Sequence, residues 1–512
     1  MTFDPNSPRL RLGIVGCGAM GRGIAQIAAA AGLEVLLCDS RDGAAEEAHA
    51  FVVQMLERAV AKGRLQQPAL ERARLRVVPG LEALADCDLV VEAIVEQLEA
   101  KQALFTRLEG LVRDACVLAT NTSSLSVTVI GAGCRRPQRL IGFHFFNPVP
   151  LMKLVEVVPG VRTDPAVVEA MLGLGWRLGH VAVRASDTPG FLVNHAGRGF
   201  GTEAGRILSE GIADFHDIDR LMTDSAGFRL GPFELMDLIG LDVTQAVMES
   251  IHDQFYQEPR FRPSLITRQL RDGGLLGRKS GQGFYRYDDG QQQTLPETPV
   301  PELASLPARP VWISARHPEA SAPLRALLKR TGARQESGAR PSAQALCLVT
   351  PLCRDCTGAV LDEQLDPART LAVDTLLGLE GRRTLMLNPA TAPEYRQLAQ
   401  ALLAQDGVPV TLINDSPGFV APRILAVIVN IACEIAQQRI AAPADIDRAV
   451  ELGLGYPQGP LALGDRLGAA RLLDLLEGLH RFYGDPRYRP SAWLQRRARL
   501  GLSLKTEESR HA

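Results

Sequence analysis

Apolar residues in this chain fall into two rhythms. Short, nearly unbroken runs occupy residues 10–15, 33–38, 88–94, 115–121, 140–146 and 152–158, each bounded by polar or turn residues. Runs of that length fit strands of a parallel sheet buried on both faces. Between the first two lies the small-residue stretch Ile24, Ala25, Ile27, Ala28 and Ala29, which fits a helix packed on that sheet. From residue 190 the rhythm changes. Val193, Ala196, Phe200, Ala204 and Ile207 recur every three or four positions, as do Ile424, Ile428, Ile431 and Ile435, and both sets predict helices with one buried face. Four further short runs, at 310–314, 345–349, 370–374 and 384–388, predict a second, smaller set of strands between helices.

The first strand opens into Gly16-Cys17-Gly18-Ala19-Met20-Gly21, and the second ends on Asp39. Strand, GxGxxG, helix, strand and acid stand here in the order a dinucleotide site requires. Gly16 permits the tight turn, Gly18 lets backbone approach a pyrophosphate, and Gly21 lets the helix close on the sheet. Amides at the helix start bind the pyrophosphate. Asp39, 18 residues past Gly21, is placed to accept ribose hydroxyls and to repel a 2′-phosphate, which favours NAD over NADP. Arg41 nearby argues mildly the other way. Polar residues follow two later strands: Glu92 and Glu96, then Asn121 to Ser124. At the carboxyl ends of strands they are expected to face the nicotinamide end of the cleft.

Composition changes this picture little. With 512 residues, 46% hydrophobic and 22% charged, the chain exceeds one core and suggests three or four domains of ordinary globular packing. A net charge of −2 offers no field for nucleic acid or an anionic membrane. No apolar run is long enough to span a bilayer, and the start lacks the pattern of a signal peptide. Nine scattered cysteines suggest reduced thiols and a cytoplasmic setting. The one close pair, Cys353 and Cys356, carries no metal or redox assignment without a second pair. No metal site is expected.

Oxidising an alcohol requires a base for the hydroxyl proton, and histidine titrates near working pH. His144 and Glu156 sit 12 residues apart on consecutive predicted strands. That spacing permits a His–carboxylate pair, but leaves open a core histidine held by hydrogen bonds. The surrounding residues add more. Asn121-Thr122-Ser123-Ser124-Leu125, His144-Phe145-Phe146-Asn147-Pro148-Val149-Pro150, Lys153-Leu154-Val155-Glu156-Val157 and Asp187-Thr188-Pro189-Gly190-Phe191-Leu192-Val193-Asn194 resemble, in order and spacing, the motifs of the 3-hydroxyacyl-CoA dehydrogenase family. The resemblance is nearly continuous to about residue 290. It implies NAD as cofactor, a CoA-thioester substrate, His144 as base and Glu156 as its partner. It also implies that Ser123 and Asn194 contact the reacting oxygen and thioester. By the same resemblance Glu96, Lys101, Asn121, Asn147 and Lys279 line the cofactor and substrate cleft. The resemblance also implies that Lys62 meets the CoA phosphates, from a loop whose length differs from the family's.

The second half repeats part of the first. Asp187-Thr188-Pro189-Gly190-Phe191 returns as Asp415-Ser416-Pro417-Gly418-Phe419, Asp217-Ile218-Asp219 as Asp445-Ile446-Asp447, and Gly231-Pro232 as Gly459-Pro460, every offset being 228. Pro422 stands in the place of Asn194, and no GxGxxG precedes the second copy. One active site per chain is therefore expected, with copy two as scaffold. The fold expected is an α/β N-terminal Rossmann domain (1–185), an all-α domain (186–290), a linker and degenerate Rossmann-like α/β segment (291–412), a second all-α domain (413–504) and a frayed tail (505–512). This layout is similar to long family members of the 3-hydroxybutyryl-CoA or 3-hydroxyadipyl-CoA type, the latter serving phenylacetate breakdown, with S stereochemistry at C3. In short members the helical domain dimerises, so the two copies are expected to form an internal pseudo-dimer; a homo-oligomer beyond that stays open. Two other readings remain: a dehydrogenase of a free hydroxy or sugar acid, and a non-catalytic, crystallin-like protein on the same fold.

Overall fold

The computed structural model describes residues 3–65 and 74–508. The last four residues of the expected tail lie outside them. Two compact units form, one of Met1–His195 with Ile435–Leu454, the other of Ala196–Glu434 with Gly455–Ala512.

The first unit is built on eight strands: β1 (Arg11–Val15), β2 (Glu34–Cys38), β3 (Arg74–Val77), β4 (Leu89–Glu92), β5 (Val117–Thr120), β6 (Leu140–Phe145), β7 (Leu154–Pro159) and β8 (Val181–Arg184). Their order is β3-β2-β1-β4-β5-β6-β7-β8, and β6–β7 is the antiparallel pairing. Strands β4, β5 and β6 are buried along their whole length, as their unbroken apolar runs require. Chain order reverses between β1 and β4, and the glycine loop opens there. The helix Pro443–Leu454 also belongs to this unit. Gly453 comes so close to Leu154 and Val193 that a β-carbon would lie 3.0 Å from both, and Ser186 N–H donates to the Ile440 carbonyl at 2.9 Å.

The second unit holds a hairpin, β9 (Tyr287–Asp288) with β10 (Gln291–Gln292), and a six-stranded sheet: β11 (Val311–Ile313), β12 (Gln335–Glu336), β13 (Leu346–Val349), β14 (Thr370–Val373), β15 (Arg383–Met386) and β16 (Val410–Ile413). Its order is β12-β11-β13-β14-β15-β16, with β14–β15 antiparallel. The architecture is thus an α/β Rossmann sheet, helical domains and a second, degenerate Rossmann-like sheet. The polar stretch ahead of β11, expected as the linker, is anchored to the sheet. Glu297, inside the polar stretch, grips the buried Arg382 guanidinium at 2.6 Å. Just ahead of the tail Leu504 is buried, and of the tail's described residues Thr506 is tied down, its carbonyl accepting from Arg497.

Both predicted helical faces are buried. Helix Arg198–Ser209 meets helix Ala421–Gln437 at Gly199, where a β-carbon would lie 3.0 Å from Ile431. At their crossing Arg423, fully buried, donates to Glu203 at 2.5 Å, to Glu210 at 2.9 Å and to the Tyr488 hydroxyl at 2.7 Å. Removing one partner of a buried ion pair strands the other without solvent. Arg423→Met is expected to cost about 3–5 kcal/mol of stability, read as a fall in the denaturation midpoint; an unchanged midpoint would contradict the pair's structural role. Asn414 N–H donates to the Ile212 carbonyl at 2.8 Å. Its residue numbers stand 228 away from those of the Ser186–Ile440 bond, so the repeat carries a hydrogen bond as well as a sequence.

Candidate active site

The glycine loop has the shape its residues predict. Gly16 holds φ +96°, and a β-carbon there would lie 2.5 Å from the Ala93 carbonyl oxygen. A β-carbon on Gly21 would run into the Gly16 carbonyl, whereas Gly18 faces open space. Gly18 is also the N-cap of helix Ala19–Ala30 and supplies no side-chain cap, leaving first-turn amides for an anion. These features fit the pyrophosphate of a dinucleotide. Asp39 is held against the loop: its Oδ2 accepts from Cys17 N–H at 2.6 Å and its Oδ1 from Arg41 N–H at 2.9 Å. The Arg41 guanidinium turns to Glu47 at 2.8 Å, so it is engaged rather than waiting for a 2′-phosphate. Gly16→Ala forces an L side chain into a left-handed conformation, a strain of roughly 1–2 kcal/mol, on top of the clash. NAD affinity measured by calorimetry should fall by tenfold or more (~1.4 kcal/mol), and an unchanged Kd would remove this loop from the cofactor site.

Beyond β4 and β5 lies a hydrogen-bonded polar group. Glu92 is fully buried and accepts from Thr120 Oγ1 at 2.6 Å and Lys101 Nζ at 2.5 Å. It is therefore an internal anchor and does not face the cleft as its place at a strand end suggested. Lys101, itself only 1% exposed, also reaches Glu96 at 3.2 Å. Glu96 in turn collects the Thr122 hydroxyl at 2.7 Å, Ser123 N–H at 2.9 Å and the Ser124 hydroxyl at 3.0 Å. Desolvation, the largest single influence, pushes the Glu96 carboxyl upward, yet those hydrogen bonds and the Lys101 charge together hold it below its usual value. The buried Lys101 ammonium, itself held by the buried Glu92, thus anchors the more exposed Glu96 carboxylate that fixes the turn carrying Ser123. Asn121 Oδ1 accepts from Phe145 N–H at 2.9 Å, tying the same turn to the strand of His144.

Antiparallel pairing of β6 with β7 sets His144 directly opposite Glu156. His144 Nδ1 lies 2.6 Å from Glu156 Oε2, with both residues buried. The other carboxylate oxygen accepts Leu192 N–H at 3.0 Å and Val193 N–H at 2.9 Å. A carboxylate so held accepts Nδ1–H, which leaves Nε2 as the basic nitrogen. Phe146 and Phe191 pack on the imidazole at ring separations of 4.5 and 5.7 Å. The roles of the Leu192 and Val193 amides and of these two rings escaped the sequence reading; only their place in the motifs around His144 and Asn194 hinted at them. Asn194 belongs to the short helix Val193–Ala196, directly after those amides. Asn147 is exposed just past β6, at a cis bond to Pro148. Lys62 stands exposed at the end of helix Ala44–Ala61. Lys279 belongs to the other compact unit, where its ammonium pairs with Asp242.

A dinucleotide loop, a sheet whose strands end in polar residues, and a buried His–carboxylate pair together define a nicotinamide-dependent dehydrogenase of alcohols. Comparison with known proteins refines the class. The 3-hydroxyacyl-CoA dehydrogenase NAD binding domain matches residues 11–188, and the C-terminal domain of the same family matches twice, over 190–287 and 418–510. The chain belongs to the 3-hydroxyacyl-CoA dehydrogenase family, in a form with a duplicated C-terminal domain. It is 39% identical to the 3-hydroxyadipyl-CoA dehydrogenase of Escherichia coli over 95% of this chain and 97% of that one. It is 38% identical to the mitochondrial hydroxyacyl-coenzyme A dehydrogenase of pig (Sus scrofa), across 54% of this chain and 90% of the relative. Among solved structures, a 3-hydroxybutyryl-CoA dehydrogenase from Escherichia coli K12 superposes with a TM-score of 0.84 at 36% identity, covering 96% of this chain and 98% of that one. The chain is an oxidoreductase with NAD as its cofactor. Among the described residues no helix is long and apolar enough to cross a membrane.

Proposed function

We propose that this enzyme oxidises (S)-3-hydroxyacyl-CoA to 3-oxoacyl-CoA, with 3-hydroxyadipyl-CoA ahead of 3-hydroxybutyryl-CoA as substrate, in the breakdown of phenylacetate. The observation that carries the reading is the 2.6 Å bond between His144 Nδ1 and Glu156. It leaves Nε2 free to take the 3-hydroxyl proton, while Glu156 stabilises the imidazolium that forms. Ser123 donates to the same oxygen, on a turn stiffened through Glu96, and Asn194 contacts the thioester. Bound NAD supplies the hydride acceptor for C3. Gly16, Gly18, Gly21 and Asp39 hold it, with Glu96, Lys101, Asn121, Asn147 and Lys279 around the cleft and Lys62 toward the CoA phosphates. The name of the Escherichia coli relative that spans nearly the whole chain supports the adipyl group.

The two helical copies, taken as 186–290 and 413–504, act in this reading as an internal pseudo-dimer. Support comes from the Ser186–Ile440 and Asn414–Ile212 bonds, which exchange roles across the repeat, as the two halves of an isologous contact do. The nine free cysteines, eight of them buried, support a reducing compartment, the cytoplasm.

Steady-state rates with 3-hydroxyadipyl-CoA, 3-hydroxybutyryl-CoA and free 3-hydroxybutyrate, each with NAD and NADP, test the assignment. The adipyl ester with NAD should give the highest kcat/KM. Faster oxidation of the free acid would move the enzyme to another substrate class, and no NADH from any CoA ester would remove the reaction.

A further inference from the structure

The repeat reaches further back than its sequence signature. In the first sheet Asp164 N–H donates to the Gln138 carbonyl at 2.8 Å. In the second, Ala392 N–H donates to the Ala368 carbonyl at 2.8 Å. These bonds fix how the strands correspond: Gln138 matches Ala368 ahead of β6 and β14, and Asp164 matches Ala392 after β7 and β15. Counting along each strand from them, His144 corresponds to Asp374 and Glu156 to Thr384. The ladder agrees, because Asp374 N–H donates to the Thr384 carbonyl as His144 pairs with Glu156. Phe191, which packs on His144, corresponds to Phe419, and both take a positive φ.

A cavity of about 560 Å³ lies at this place in the second sheet, within the range of small-molecule sites. It opens at the carboxyl ends of β11, β13 and β14, beside the reversal of strand order between β11 and β13, where open α/β sheets bind ligands. Thr350, Asp374 and Phe419 line it, with Arg316, Arg354 and Arg471. Asp374 is only 8% exposed. Its Oδ1 accepts Leu376 N–H at 2.9 Å, and among the described residues Oδ2 accepts nothing. Burial pushes its carboxyl up to about 6. Arg316 and Arg354 share one carboxylate, Asp362, at 3.4 and 3.2 Å; of the other acids in the lining, Glu363 accepts the Ser314 hydroxyl at 2.6 Å and Asp474 is exposed to solvent. Arg471 stands 3.7 Å from the exposed Glu319. Helix Pro318–Arg330 begins at the cavity, and its N-cap, His317, supplies no side-chain cap.

We propose that this cleft is a second, non-catalytic ligand site, which takes a small hydroxylated organic anion, a carboxylate or a phosphate ester. The anion meets the guanidinium groups and the helix start, and the hydroxyl donates to Asp374 Oδ2. A dinucleotide is excluded, because Ser314-Ala315-Arg316-His317 replaces a glycine loop with side chains. Without a histidine opposite a carboxylate the site binds and does not oxidise.

Ligand-observed NMR on the full chain tests this, with NAD and acetoacetyl-CoA present to fill the dehydrogenase centre. The probes are 3-hydroxybutyrate, butyrate and glycerol 3-phosphate. Saturable binding is expected for 3-hydroxybutyrate or glycerol 3-phosphate, and the tighter of the two names the anion. Butyrate, lacking the hydroxyl, should bind about tenfold more weakly than 3-hydroxybutyrate, and Asp374→Leu should erase that difference with kcat unchanged. Arg354→Ala, at a half-exposed position where folding is not at stake, should weaken every probe about tenfold. No saturable signal from any probe, or signals that neither substitution alters, would overturn the site.

Discussion

Replacing His144 by glutamine should lower kcat by roughly 10²–10⁴-fold, the range that general base catalysis contributes, while NAD affinity stays close to that of the wild type. The asymmetry follows from where each function resides. In the proposed reading the cofactor is held by the glycine loop and Asp39, at the ends of β1 and β2, away from the imidazole. His144 itself is buried between Phe146, Phe191 and Glu156, and glutamine fills most of its volume. A glutamine amide can still donate to Glu156 but has no basic nitrogen to offer the substrate hydroxyl. Turnover of 3-hydroxybutyryl-CoA, followed by NADH absorbance, together with a calorimetric NAD titration, separates the two functions. Turnover within about threefold of wild type would reject His144 as the base, and a parallel collapse of NAD binding would mean that the substitution had damaged the fold.

How much of this was legible beforehand depended on whether a feature is local. The shape of the glycine loop was legible because strand, turn and helix follow one another within a few residues. Helical faces were legible for the same reason, since their period alone decides burial. The His144–Glu156 pair was half legible: a spacing of 12 allows the bond, but only the β6–β7 register makes it. Glu92 was misjudged. Its partner Lys101 is nine residues away, and nothing in the local pattern says that a lysine will bury its ammonium to meet it. The repeat was visible from Asp187 onward, where turn and capping residues constrain the sequence. It was invisible in β14 and β15, because a buried strand accepts any apolar residue of suitable size and its register can be traced only through hydrogen bonds. Membership of Ile435–Leu454 in the first compact unit was beyond the sequence for a similar reason. Close approach at Gly453 joins segments nearly 300 residues apart, and no periodicity reports that.

Glu156→Gln tests the pair from its other end and should be nearly as damaging, with kcat down by about 10²–10⁴-fold at unchanged NAD affinity. The substitution keeps size and removes charge, so its effect depends on which way the amide faces. Two backbone donors, Leu192 N–H and Val193 N–H, already hold one carboxylate oxygen, and they will hold the glutamine oxygen. The amide nitrogen is thereby turned toward His144 Nδ1, where it can only donate. Nδ1 must then accept, the ring proton moves to Nε2, and the nitrogen meant to act as base becomes a donor. The imidazolium that forms during turnover also loses its counter-ion. Because the backbone donors stay satisfied, the denaturation midpoint should barely move, whereas Glu156→Ala leaves two buried N–H groups unpaired and should cost a further 1–3 kcal/mol or so for each. A glutamine variant that is both stable and fast would mean that Glu156 only fastens the Leu192–Val193 turn. One that is stable and slow would show that the carboxylate sets the tautomer of the base.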